Sequence, residues 1–129
     1  TGMLSSWVMQ AGFEPPSVTV AINSSRYVAD WLTAGQPFNL NLVGEGQTDL
    51  LKHFGTGFEP DPPAFEGLDS KLCKRGVPIL ATAISHLECE PTCHVDSGDH
   101  RIFVARVVRG KLQPDTKPMV HIRKSGGRY

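Results

Sequence analysis

The chain has 129 residues, 40% of them hydrophobic and 20% charged, the balance of one soluble globular domain with its own core. Thirteen basic side chains offset thirteen acidic ones, so no broad positive field gathers nucleic acid or anionic lipid, and any phosphate must be gripped locally. No apolar run approaches the roughly 20 residues of a bilayer span, and the opening residues lack the basic, apolar, small-residue order of a signal peptide, which predicts a soluble, non-secreted protein.

Thr1 to Gly12 reads as a polar and aromatic loop ahead of an apolar strand. Ser5, Ser6 and Gln10 stand there beside Trp7, a mixture that offers hydrogen bonds and an apolar wall to a flat ring, or makes an ordinary surface turn. Val18-Thr19-Val20-Ala21-Ile22 is rich in β-branched residues and ends at Asn23-Ser24-Ser25, a strand running into a turn. Ser24 or Ser25 is placed to cap a helix over Arg26–Ala34, in which Tyr27, Trp31 and Ala34 recur at helical spacing and Gly35 supplies the stop. Asn23, Ser25 and Arg26 at this junction suit a phosphate, while the same residues also read as a plain N-cap with a solvated arginine.

Phe38 to Val43 alternates, with Phe38, Leu40 and Leu42 on one face and Asn39 and Asn41 on the other; an inward amide at Asn41 needs a ligand carbonyl or neighbouring backbone as partner. A short amphipathic helix is expected over Gln47–Phe54, then loop over residues 55–78, which either covers a site or partner surface or is a mobile insertion. Ile79–Glu90 and Arg101–Val108 read as strands joined into a hairpin at Gly98-Asp99, and Met119–Ile122 as a last short strand. Short strands with one or two interposed helices predict a mainly β fold, a small antiparallel barrel; no Gly-x-Gly-x-x-Gly follows a strand, so a Rossmann dinucleotide site is not supported.

Three cysteines, Cys73, Cys89 and Cys93, form an odd set that predicts reduced, buried or half-buried thiols. Cys89, Cys93 and His94 lack the paired short spacings of structural zinc, so no metal site is assigned. His100, in the turn Ser97-Gly98-Asp99-His100, is the candidate catalytic group, because imidazole titrates near working pH; His53, His86, His94 and His121 receive no catalytic role.

Six segments stand in register with one pattern: Gly2-Met3, Pro15-Pro16, Phe38 with Asn41, Gly76-Val77-Pro78-Ile79-Leu80, Ala83 with Leu87-Glu88-Cys89, and Gly98-Asp99-His100. Together they resemble the flavin reductase-like family, the FMN-binding split barrels, over essentially the whole chain. Leu4-Ser5-Ser6-Trp7-Val8-Met9-Gln10-Ala11, Lys52-His53-Phe54 and the ending from His121 to Tyr129 are more narrowly similar to the C-terminal flavin reductase module of the flavodiiron proteins of oxygenic phototrophs.

The resemblance implies an FMN-binding NAD(P)H:flavin oxidoreductase domain, with NADH or NADPH as donor, passing electrons toward a diiron centre that reduces dioxygen. It implies a homodimer with FMN near the seam, and diiron and flavodoxin-like modules elsewhere in a longer chain of the cytoplasm or chloroplast stroma. Ser5, Ser6, Trp7 and Gln10 would line the flavin, Asn23, Ser25 and Arg26 its phosphate, Asn41 its ring edge, and His100 the nicotinamide side. In the alternative the domain is a non-enzymatic FMN relay fed by a protein donor such as ferredoxin. Leu4 and Met9 stand where hydroxyl residues are usual, which implies a weaker hold on FMN, or a barrel that has lost it and binds a partner chain. The family also has a strand ahead of the Gly-Met segment, so a missing barrel edge is expected.

Overall fold

In the computed structural model, residues 1–59, 63–113 and 116–120 are described. The main sheet is antiparallel and begins with β1 (Val8–Phe13), where the sequence reading placed a loop. Both faces of β1 are largely exposed, so its residues carry no apolar-polar alternation, the signal by which a half-buried strand is recognised. Its neighbour β2 (Pro16–Asn23) does alternate, burying Val18, Val20 and Ile22.

Between β2 and β3 (Phe38–Leu42) runs α1 (Tyr27–Thr33), whose Ala29 and Leu32 close over Val20, Ile22 and Phe103. After β3 comes α2 (Thr48–Gly55), which sends Phe54 and Leu50 into a second cluster with Ala64, Leu80 and Ala83. The stretch expected to be loop holds a small hairpin, β4 (Ser70–Leu72) paired with β5 (Pro78–Leu80), closed by Gly76 at φ 75°. Three-residue strands are too short for periodicity to reveal them.

The sheet is completed by β6 (Ser85–Ser97) and β7 (His100–Leu112), a long hairpin turning at the expected Gly98-Asp99. The β region expected from Ile79 to Glu90 is thus two strands, and the second runs on through the polar residues to Ser97. Strand order is β1-β2-β7-β6-β3. Phe103 and Ala105 on β7, fully buried, lie against Val20 and Val18 of β2, and Cys89 of β6 joins Val18 and Ala105 in a third cluster.

The architecture is mainly β with two helices, as expected, and is that of a split barrel. Met119 donates its N–H to the Val43 carbonyl and Pro118 bridges Gly44, where a last strand was expected; residues 121–122 of that strand and the ending to Tyr129 lie outside the described residues. No helix among the described residues is long and apolar enough to cross a membrane.

Candidate functional site

The start of β1, the end of β2 and the start of β7 meet at one end of the sheet. The register places Asn23 opposite His100, and Ala21 donates its N–H to the Trp7 carbonyl at 3.0 Å. Chain direction alone therefore gathers Trp7, Asn23 and His100. A further bond, from the Ser24 N–H to the Asp99 carbonyl at 2.8 Å, ties the turn after β2 to the hairpin turn before β7.

His100 sits between two partners. Its Nδ1 lies 2.8 Å from Asp99 Oδ1, and its ring lies 4.9 Å from that of Trp7, tilted by 42°. The hydrogen bond from His100 holds the Asp99 carboxyl below its usual range, with the charge attraction of the imidazolium adding to it. Asp99 was not among the sequence candidates, although its place beside the histidine is the signal that a carboxylate orients the ring. Trp7 leaves half its surface exposed, an open aromatic wall at the same place.

The turn Asn23–Arg26 departs from expectation in one respect. Arg26, not Ser24 or Ser25, is the N-cap of α1, and among the described residues no side chain caps that helix. Asn23 explains why: its Oδ1 accepts both the Ser25 N–H at 3.0 Å and the Ser25 hydroxyl at 2.6 Å, so that serine is turned back into the turn. The Arg26 guanidinium reaches across to the turn after α2, where Nη1 donates to the Thr56 carbonyl at 3.3 Å. Gly57 beside it has φ 74°, and a Cβ there would collide with that guanidinium.

The amino-terminal segment docks on the same turn. Leu4 donates its N–H to Phe54 O at 3.0 Å, Thr1 its hydroxyl to Phe58 O at 2.6 Å, and Gly2 lies so close to Phe54 that a Cβ would stand 2.9 Å from its ring. The Ser5 hydroxyl is buried beside this docked segment, and among the described residues Ser5 Oγ has no hydrogen-bond partner. An orphaned buried hydroxyl is unfavourable by roughly 1–3 kcal/mol, so its presence here fits a polar group supplied by a ligand.

Ser5, Ser6, Trp7, Asn23, Ser25, Arg26 and His100 are thus grouped at one end of the fold. Gln10 and Asn41 are not brought to it within one chain. Gln10 stands opposite Val18, three residues farther along β1. Asn41 stands opposite His86, toward the other end of β6, and its Oδ1 accepts the Leu80 N–H at 3.0 Å, the backbone option of the two foreseen for it. Asn39, two positions earlier on the same strand, donates through Nδ2 to the Val77 and Pro78 carbonyls at 3.2 and 3.1 Å.

The thiols separate similarly. Cys89 is buried, and that burial pushes its pKa up to about 12, whereas Cys93 is exposed rather than half-buried, because β6 has left the core by that point. The other described histidines stay outside the corner; His53 Nε2 lies 2.8 Å from the Ala64 carbonyl, with its ring between Phe54 and Phe58.

Comparison with known proteins agrees with this fold. The flavin reductase like domain matches residues 1–128. Diflavin flavoprotein A 1 of Synechocystis is 37% identical over 129 residues, a match that takes in 98% of this chain and 22% of that protein, so the chain spans less than a quarter of its length. Among solved structures, the NADH:FAD oxidoreductase SgcE6 of Streptomyces globisporus superposes with a TM-score of 0.84 at 27% identity, covering 91% of this chain and 70% of that one. The flavin reductase HpaC, solved with NADP+, shares the fold at a TM-score of 0.80 and 21% identity, over 93% of this chain and 75% of that one. The chain belongs to the flavin reductase-like domain family, as an oxidoreductase domain of the kind found in diflavin flavoproteins.

Proposed function

We propose that this domain binds FMN at the corner formed by Ser5, Trp7, Asn23–Arg26 and His100, and oxidises NADH or NADPH there. The observation that supports this most directly is the buried Ser5 hydroxyl, without a partner among the described residues, two positions from a half-exposed tryptophan that touches His100. The residues fit the group: Trp7 gives an apolar wall, Ser5 a hydrogen bond, and Arg26, anchored at Thr56, a fixed cation for a phosphate. FMN, when bound, supplies the hydride-accepting ring.

The chain's own contribution is placement and charge. His100, held through Nδ1 by Asp99 and against Trp7, would face the nicotinamide donor of a flavin resting on that tryptophan and so help to orient the donor. A protonated imidazole there also favours negative charge on a neighbouring ring. The exposed apolar side chains of the edge strand β1, Met9 and Phe13 among them, support a homodimer in which a second copy covers this strand.

The short span relative to Synechocystis diflavin flavoprotein A 1 supports reading the domain as one module of a longer protein; we read it as the final module of a flavodiiron protein of the cytoplasm or stroma, handing electrons toward a diiron centre. Mixing the FMN-loaded protein with NADH and with NADPH in a stopped-flow instrument tests the activity. Bleaching of the flavin absorbance by either donor is expected. Bound FMN that neither donor reduces would reject the oxidoreductase reading in favour of a relay fed by a protein donor, and absence of bound flavin would reject both.

A further inference from the structure

At the far end of the β6–β7 hairpin from His100, the chain concentrates positive charge that its neutral total conceals. Lys71 and Lys74 on the β4–β5 hairpin face Arg109 and Lys111 on β7 across a depression of about 460 Å³. The charge opposing them is Glu88, buried on β6 with its Oε1 4.0 Å from Arg109 Nε. Among the described residues none of the three lysines has an ion-pair partner.

By contrast, Glu90 bridges Arg75 at 2.5 Å and Arg106 at 2.6 Å. Unpaired like charges repel one another across a concave wall, and that repulsion is relieved when an anion enters. The wall itself is fixed, because Asn39 and Asn41 of β3 clamp the backbone of β5 beside it.

We infer that this depression is a second binding site, for a small phosphate-bearing polyanion: a pyrophosphate or polyphosphate, free or as the tail of a nucleotide. Its size lies within the range of about 300–1,000 Å³ typical of small-ligand sites, whereas an acidic protein would need roughly 800 Å² of matching surface. Leu72, exposed at the rim, offers an apolar surface for a base. The site is separate from the flavin corner. Lys111 stands opposite His86 and His100 opposite Ser97, eleven positions apart along β6, a span on the order of 30 Å at the rise of a strand.

Calorimetric titration of the chain with inorganic pyrophosphate and with ATP, in low salt and saturating FMN, tests the assignment. One saturable site is expected for at least one of the two, weakened at least tenfold by Lys71→Ala with Lys111→Ala, kept by the Lys71→Arg, Lys111→Arg pair and by Arg26→Ala, and tightened by Glu88→Gln. Tighter binding of ATP than of pyrophosphate identifies a nucleotide as the ligand; equal binding identifies the phosphate chain alone. Failure of both to saturate, indifference to the paired alanine change, or loss of binding in Arg26→Ala overturns the proposal, and none of these results bears on flavin reduction at the other end.

Discussion

The indole of Trp7 and the imidazole of His100 meet at 4.9 Å although 93 positions of sequence separate them, because β1 and β7 both begin at the same end of the sheet. One ring is an apolar wall and the other a titratable group, so the two are expected to fail differently. Trp7→Ala should weaken FMN binding by about tenfold or more, near 1.4 kcal/mol. His100→Ala should slow flavin reduction with little loss of bound FMN. Fluorescence titration and stopped-flow absorbance separate the two effects; unchanged reduction kinetics in His100→Ala would remove that residue from the mechanism.

Ser5→Ala carries a prediction of two signs. In the flavin-free protein it removes an unsatisfied buried hydroxyl, so unfolding by urea should show equal or greater stability, by up to roughly 1–3 kcal/mol. In the same variant FMN should bind more weakly. A loss of stability without FMN would mean that the hydroxyl is satisfied within the chain.

Arg26→Ala should discriminate between ligands. Its guanidinium, held at Thr56, is assigned to the phosphate, so FMN should lose affinity by an order of magnitude or more while riboflavin, which has none, should be nearly unaffected. Gly57→Ala should reproduce part of this loss, since its methyl group would displace the guanidinium and its φ of 74° is unfavourable for alanine. Equal losses for both ligands would place Arg26 elsewhere.

Cys89 sets an alkaline limit. Its folded pKa of about 12 exceeds the ordinary thiol value of 9.0, so above pH 9 the unfolded chain releases a proton that the folded chain keeps. The contribution of Cys89 to stability is therefore fully present below pH 9 and is lost as pH rises from 9 toward 12, with a slope approaching ~1.4 kcal/mol per pH unit. Cys89→Ala should flatten that decline in a urea series run from pH 8 to 11. In native protein near neutrality a thiol reagent should react with exposed Cys93 and slowly with half-buried Cys73, reaching Cys89 only after denaturation.

The sequence was most legible where burial imposed a period. Val18, Val20 and Ile22, or Phe103 and Ala105, had one way to reach a core, and the Gly98-Asp99 turn is where a hairpin had to close. It was least legible where neighbours, not neighbouring sequence, decide. β1 lies at an edge with both faces exposed, and the β4–β5 hairpin is held by Asn39 and Asn41 from a distant strand. Of the candidate site, Asn23, Ser25 and Arg26 were proposed from a strand end entering a helix, Trp7 from a polar and aromatic loop and His100 from a hairpin turn, whereas the pairing of Asp99 with His100 and the anchoring of Arg26 at Thr56 depend on contacts that no local pattern contains. The N-cap was misjudged because an asparagine two residues upstream outcompeted the helix for Ser25.

The bond from the Ser24 amide to the Asp99 carbonyl joins two turns that are remote in sequence. Lengthening either turn alone would pull the arginine-bearing end away from the imidazole. Across homologues, insertions near residues 23–26 should therefore be accompanied by compensating ones near 97–100, a coupled length variation that comparative genomics can look for without any protein being made.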